Sequence, residues 1–192
     1  MTENRNDDYD VTTQFFANYN KSFGRHDLSA MIGYEDYYAF WENLSASRDQ
    51  YELTNFPYLD LGPENLRDNG GNAEEYAYRS FFGRITYSYA NRYLLQVNFR
   101  RDGSSRLAPD TRWGNFWAVS ASWRLYQENF MKPWEDVVSD MKLRASYGVN
   151  GNLPTGYYGY HGTYTTGAFY NGKPAPWEDA IANPDLTWEK NY

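Results

Sequence analysis

The feature that most constrains this chain is an alternation of apolar and polar residues with a period of two. Between Arg92 and Arg101, one face carries aromatic and aliphatic side chains: Tyr93, Leu95, Val97 and Phe99. The other face carries polar side chains: Gln96, Asn98 and Arg100. Such alternation predicts a β-strand with one apolar and one polar face, because successive side chains in a strand point in opposite directions.

The same alternation recurs along the chain. It occupies residues 84–89, 117–125 and 141–149, and in noisier form Thr12–Phe23 and Leu28–Phe40. These segments predict about six antiparallel strands, and a seventh begins at Thr187. Aromatic residues make up 20% of a chain whose mean hydropathy is only -0.85. That combination favours two-faced strands joined by polar loops, so the predicted fold class is all-β.

The predicted connections alternate between short and long. Short or moderate connections fall at 24–27, 90–92 and 126–138, and long polar ones at 42–76, 101–113 and 150–187. Short turns at one end and long loops at the other are typical of an outer-membrane β-barrel. Four arginines lie on the predicted polar face: Arg84, Arg100, Arg124 and Arg144. Each would cost roughly 2–4 kcal/mol if it faced lipid at the midplane, so we expect them to face a hydrated lumen.

Several classes of function find no support in the sequence. A net charge of -7 argues against nucleic acid as a partner, and the absence of cysteine excludes a thiolate metal site. His26 and His161 are predicted at opposite ends, so a shared metal site is not expected. The acidic pairs at 7–8 and 74–75 are interpreted as solvated loop faces. No catalytic residue, cofactor or metal is predicted, and the chain is not expected to be an enzyme.

Two segments are candidates for binding a substrate. Arg101 and Asp102 lie in the polar run 100–106, where side chains could hydrogen-bond sugar hydroxyls, and a structural turn at Asp-Gly is the simpler interpretation. Three tyrosines lie in the predicted loop 150–187, where their rings could stack on sugars or pack on neighbours: Tyr157, Tyr158 and Tyr160.

The order of several motifs resembles one family. RYLL at 92–95, NFRRDGSSR at 98–106, RWGNF at 112–116 and SASWR at 120–124 are followed by KLRASYG at 142–148 and NPDLTWEK at 183–190. Together they resemble the barrel of the SusC/RagA-type TonB-linked outer membrane proteins. Leu107 and Trp117 depart from the residues usual in that pattern. The resemblance covers nearly the whole chain in order.

This resemblance implies a longer protein with a plugged barrel of about 22 strands in a Gram-negative outer membrane. It implies import of an oligosaccharide or a peptide, with a SusD-like surface lipoprotein and the TonB complex as partners. Residues 1–192 are expected to be part of the barrel, with no plug domain and no signal peptide. The lumen-facing arginines are expected to contact the plug, and steering of anionic substrate is the alternative.

Strand count bears on what the chain can do alone. Six strands leave two open edges, and each unpaired backbone group in lipid costs several kcal/mol, which exceeds the roughly 5–15 kcal/mol stability of a folded protein. We therefore expect the chain to function only within a larger barrel. The competing hypothesis is a soluble, secreted β-sandwich that binds carbohydrate and buries its apolar faces in a core.

Overall fold

A computed structural model describes residues 1–52, 55–56 and 58–192. The strands in this part of the chain are β1 (Thr2–Phe23), β2 (His26–Arg48), β3 (Arg67–Tyr89), β4 (Tyr93–Ser104), β5 (Trp113–Arg124), β6 (Lys142–Asn152), β7 (Thr163–Thr165), β8 (Phe169–Tyr170), β9 (Lys173–Pro174), β10 (Trp177–Ala180) and β11 (Glu189–Asn191). Short 3-10 helices span Leu59–Leu61, Glu64–Leu66, Leu125–Gln127 and Asn129–Trp134.

Seven of the strands form one sheet. Its order is β1-β2-β3-β4-β5-β6-β11, and the pairs β3–β4, β4–β5, β5–β6 and β6–β11 are antiparallel. The prediction of six antiparallel strands followed by the start of a seventh is confirmed. Chain neighbours are also sheet neighbours, which is the arrangement of an up-and-down barrel wall.

The chain divides into two compact units, residues 1–12 with 37–77 and residues 13–36 with 78–192. In the first unit, strand β1 begins at Thr2, ten residues earlier than predicted. The Met1 ammonium donates to the Arg48 carbonyl at 2.6 Å, and the Asn43 amide donates to Asn6 at 2.5 Å. Pairing with another strand therefore keeps this polar segment extended, although its residues have low intrinsic strand propensity.

The three connections at one end of the strands are shorter than predicted, and the one at the other end is longer than the predicted 126–138. They span 49–66, 105–112 and 153–188 at one end of the strands, and 125–141 at the other. The prediction of strictly alternating short and long connections is wrong, because 125–141 is longer than 105–112. The acidic pairs at 7–8 and 74–75 lie on β1 and β3, so their assignment to loops is also wrong. Polar residues can continue a strand wherever both of its faces meet water.

The two tight turns form as predicted. Gly24 has a φ of 63°, and Ala90 and Asn91 have φ values of 52° and 54°. Two successive positive φ values are typical of a type I′ turn, whose twist matches that of the flanking strands. The Ala90 amide also donates to the Arg25 carbonyl at 2.6 Å, which ties the two turns together.

The buried core of the second unit is small. Leu107, Phe116 and Trp188 form a cluster in which each side chain is less than a tenth exposed. Most apolar side chains of the strands remain exposed instead. No helix in the described residues is long and apolar enough to cross a membrane.

Candidate functional site on the polar face of the sheet

The register between strands gives the sheet two chemically different faces. One row across β3–β6 joins apolar residues: Ile85, Val97, Val119 and Tyr147. Their exposed fractions are 53%, 38%, 37% and 59%. The next row joins Arg84, Asn98, Ala118 and Gly148. We call the side of the first row the apolar face and that of the second the polar face.

The four predicted arginines share the polar face. Arg84 pairs with Asn98, and its Nε donates to the Asn98 amide oxygen at 2.9 Å. Arg100 follows Asn98 by two residues in β4. Arg124 and Arg144 lie on the same side, because Ser122 of β5 pairs with Arg144. The alternation in the sequence therefore grouped these side chains correctly.

Arg100 is the centre of a polar network. Its Nε lies 2.7 and 3.0 Å from the two carboxylate oxygens of Asp102. Its Nη2 donates to the Ser80 hydroxyl at 2.9 Å and to the Tyr78 hydroxyl, and lies 3.5 Å from the Glu35 carboxylate. The side chain of Asp102 is only 7% exposed. Two carboxylates around one guanidinium leave the cluster with a net negative charge.

The aromatic ring of Phe82 supports this network from β3. Phe82 pairs with Arg100, and the guanidinium carbon lies 5.4 Å from the ring centroid, within cation–π range. A Cβ on Gly33 would come within 2.3 Å of the Phe82 ring. The glycine therefore leaves the space that this ring occupies beside the arginine.

The motifs at 112–116 and 183–190 meet beside the network, since Phe116 pairs with Arg100. The indole of Trp188 donates to the Arg112 carbonyl at 2.8 Å and packs edge-on against Phe116 at 5.1 Å between ring centroids. The Thr111 hydroxyl donates to the Leu186 carbonyl at 2.6 Å. The segment just before β11 therefore packs on connection 105–112. Trp188 and Arg112, which make one of these contacts, are 76 residues apart in the chain.

The interpretation of Arg101 and Asp102 as parts of one loop is wrong. Both residues lie in strand β4, which continues to Ser104, and the Asp-Gly pair does not reverse the chain. Being adjacent in a strand, they lie on opposite faces: Asp102 joins the Arg100 network, and Arg101 lies on the apolar face with its guanidinium carbon 5.3 Å from the Trp113 ring centroid. The strand persists because both of its sides are paired, by β3 and by β5.

The three candidate tyrosines lie in connection 153–188, as predicted. The guanidinium carbon of Arg106 is 4.4 Å from the centroid of the Tyr157 ring, and Tyr157 and Tyr158 have centroids 6.4 Å apart. The Tyr160 ring lies 4.1 Å from that of His161. Tyr158 is 40% exposed. The sequence alone did not indicate that Arg106 would anchor this group.

A carboxylate at the turn end was not singled out from the sequence. Glu128 accepts hydrogen bonds from the Tyr93 hydroxyl at 2.7 Å and the Trp123 indole at 2.9 Å, and pairs with Arg92 at 3.0 Å. The bonds from Tyr93 and Trp123, with the charge of Arg92, hold the pKa of Glu128 below its usual value. Glu128 thereby joins connection 125–141 to both β4 and β5.

The described residues contain no group of three His, Asp or Glu side chains arranged to hold a metal. His26 has its Nδ1 2.6 Å from the Tyr87 hydroxyl and stacks on Phe23 at 5.1 Å. It is therefore part of the aromatic packing around the first turn.

Comparison with known proteins gives the family. No protein-family model matches the chain. The chain is 34% identical to TonB-dependent receptor P39 of Formosa agariphila over 187 residues, which is 95% of this chain and 18% of that protein. It is 30% identical to TonB-dependent receptor SusC of Bacteroides thetaiotaomicron over 189 residues, again 95% of this chain and 18% of that protein.

Solved structures agree with this relationship. A chain of the RagAB peptide importer in its closed-closed state matches with a TM-score of 0.88 and 27% identity, covering 98% of this chain and 21% of that one. The open-open state of the same importer matches with a TM-score of 0.87. The chain belongs to the SusC/RagA type of TonB-dependent receptors. It spans about a fifth of the length of these relatives.

Two of the motifs that this chain shares with the SusC/RagA type have identifiable structural roles. Residues 98–106 supply the Arg100 network, and residues 183–190 supply the segment that packs on connection 105–112. The relatives are receptors and an importer rather than enzymes.

Proposed function

We propose that this chain forms part of the wall of a β-barrel in a Gram-negative outer membrane, and that the barrel is a TonB-dependent nutrient importer. The observation that carries the proposal is the two-faced sheet. Apolar side chains such as Ile85 and Tyr147 stay more than half exposed on one face, while Arg84, Arg100, Arg124 and Arg144 share the other. Lipid on the first side and a hydrated lumen on the second satisfy both faces.

The spacing of aromatic rows supports a membrane position. Trp123 stacks on Tyr93 near the turn end of β5, and Trp113 lies near Phe81 at the other end. Ten residues separate the two tryptophans along β5. At about 3.4 Å per residue and a strand tilt of about 40°, the vertical separation is about 26 Å. This matches the apolar band of roughly 25 Å between the aromatic girdles of a barrel.

The competing β-sandwich needs an apolar face that is covered. A second sheet would pack about 10 Å from the first and remove Ile85, Val97 and Val119 from solvent. In the described part of the chain these side chains are exposed, and the buried apolar cluster of Leu107, Phe116 and Trp188 lies around Phe116 on the polar face. The barrel wall is therefore the better interpretation.

For the cargo, we propose an oligosaccharide as the first candidate and a peptide as the second. The exposed ring of Tyr158, in a group fixed by Arg106, supports a surface on which a sugar could stack. The peptide is kept because the structural relative RagAB is a peptide importer. We propose that Arg101 and Asp102 lie outside this cargo surface, because Arg101 is on the apolar face and the Asp102 side chain is buried.

We further propose a SusD-like surface lipoprotein as the lid at the loop end. The TonB complex would act through regions outside this chain. Residues 1–192 would belong entirely to the barrel, and the arginines of the polar face would contact a plug. The guanidinium groups of Arg124 and Arg144 are suited to pairing with carboxylates of such a domain.

The test is uptake by cells that express the complete receptor. Labelled oligosaccharides and labelled peptides are supplied to cells with and without TonB, and uptake of one class is expected to require TonB. Tyr158→Ala is expected to reduce that uptake, and Tyr170→Ala is the matched control because Tyr170 is 80% exposed on the same connection. Uptake that is unchanged without TonB would contradict the importer, and equal effects of the two substitutions would remove Tyr158 from the cargo surface.

A further inference from the structure

We propose that the apolar face carries a binding site for a phosphorylated, acylated lipid of the outer leaflet. Arg101 and Arg79 would bind the phosphorylated headgroup, and a hollow over Gly83 would hold an acyl chain. This inference rests on the proposed function, because it requires the apolar face to meet a membrane.

Arg101 supplies the first charge of this site. It pairs across the sheet with Phe81 on one side and Asn115 on the other, so it lies on the apolar face. Its guanidinium sits over the Trp113 ring and is exposed. No ion pair joins it to a carboxylate in the part of the chain that the structure describes. An arginine facing lipid without a partner is a cation that an anionic group can neutralise.

Arg79 supplies the second charge. It pairs with Gly103, so it is the diagonal neighbour of Arg101 on the same face. Asp36 holds it through two hydrogen bonds of 2.9 and 3.3 Å. Arg79, Arg101 and Asp36 together carry a net charge of about +1, so the patch attracts a phosphate.

The depth of the patch fits a headgroup. Arg101 lies near the level of Trp113, which belongs to the aromatic row at the loop end. An arginine at that level costs roughly 0–1 kcal/mol, against about 2–4 kcal/mol at the midplane. The tight turns at Gly24 and Ala90 lie at the other end, and short turns face the periplasm in such barrels. The patch therefore lies in the outer leaflet.

An apolar hollow opens directly below the patch. Gly83 pairs with Phe99 and presents no side chain to the apolar face, and Phe15, Ile32 and Tyr34 complete the walls. The hollow is an open depression of about 640 Å³, so an occupant would contact the protein on one side and the surrounding lipid on the other. Its lining consists almost wholly of aromatic and aliphatic residues, so a hydrocarbon chain is the matching occupant.

Phe81 connects the two parts of the site. Its ring lines the hollow, lies 6.2 Å from Trp113 and 5.2 Å from Tyr34, and its backbone pairs with Arg101. A molecule with a phosphate and an acyl chain can therefore contact the cations and the hollow at once. Free phosphate would reach only the cations, and an uncharged lipid only the hollow.

The experiment measures lipid retained by the complete receptor after extraction from outer membranes and washing in mild detergent. Lipid A is added back, and the bound copies are counted by native mass spectrometry. Arg101→Gln and Ile32→Trp are each expected to weaken retention about fivefold, the first by loss of charge and the second by filling the hollow. Arg101→Lys should keep most of it. Arg144→Gln, on the polar face, is the matched control and should leave lipid retention unchanged.

Two further probes distinguish the sources of binding. Lipid A without its phosphates should bind the wild-type receptor as weakly as lipid A binds Arg101→Gln, and inorganic phosphate should not displace the intact lipid. Equal retention by Arg101→Gln and Arg144→Gln would overturn the proposal. Heat-modifiable electrophoretic mobility reports separately on whether the barrel is folded. A receptor that folds in membranes but retains the same amount of lipid after Arg101→Gln refutes only the lipid site.

Discussion

Replacing Arg100 by Met tests whether the polar network stabilises the wall. The side chain of Asp102 is 7% exposed and that of Glu35 is 20% exposed, and both lose their cation in this variant. Breaking a fully buried ion pair costs about 3–5 kcal/mol. Because the Arg100 side chain is itself 40% exposed, water screens part of that cost, and we expect about 2–3 kcal/mol.

The assay is urea unfolding of the complete receptor in lipid vesicles, followed by tryptophan fluorescence. The urea dependence of the unfolding free energy exceeds the roughly 1–3 kcal/mol per molar of small proteins because the receptor is large, so the midpoint for Arg100→Met should fall by less than about 1 M. Arg84→Met is the matched control: it lies on the same face, and the bond that it loses within the sheet is a hydrogen bond to neutral Asn98. Its cost should be below about 1 kcal/mol.

A double variant sharpens the test. Adding Asp102→Asn to Arg100→Met removes the buried carboxylate that lost its partner. Asp102→Asn should therefore destabilise the Arg100→Met receptor by about 1–2 kcal/mol less than it destabilises the wild type. The reasoning is refuted if Arg100→Met is no worse than Arg84→Met. It is refuted equally if the two changes at 100 and 102 are strictly additive.

Three further changes probe other parts of the wall. Val119→Arg should destabilise the barrel in lipid by about 2–4 kcal/mol, whereas Ser120→Arg, one residue along on the polar face, should cost little. Glu128→Gln should lower stability at neutral pH. Because folding lowers the pKa of Glu128, the stability difference between wild type and variant persists above the ordinary glutamate pKa of about 4.3. The difference vanishes as the pH falls through the lower pKa of the folded state. Ala90→Gly should stabilise by about 1 kcal/mol, because Ala90 has a φ of 52°. Urea midpoints measure all three changes, the second as a pH series. Equal costs at 119 and 120, a pH-independent effect at 128 or a loss of stability at 90 would contradict the respective assignments.

Local patterns in the sequence predicted the strands where each face meets a different solvent. From Arg92 to Arg101 the alternation grouped Val97 with Phe99 and Asn98 with Arg100, and the register confirms that grouping. The strand ends were not predictable in this way. Beyond the apolar band both faces meet water, so the alternation disappears at residues 2–11 and 67–76 although the strands continue.

The partners of the candidate residues depended on tertiary structure. Asp102 and Arg101 are adjacent in sequence, yet pairing with β3 and β5 directs one into the Arg100 network and the other onto the apolar face. Tyr78 and Ser80 could have been found by continuing the period of two back from Arg84, but Glu35 could not, because its contact with Arg100 joins strands β2 and β4.

The sequence by itself determined the fold class, the two faces of the strands and the tight turns, because each of these depends on residues within one turn or a few positions of each other. Only the tertiary structure decided which strand segments extend past the apolar band, and that residues 183–188 cover connection 105–112. Those outcomes depend on backbone pairing and side-chain contacts between residues as many as 76 positions apart. A period of two carries no information about such contacts, since it specifies direction and not distance.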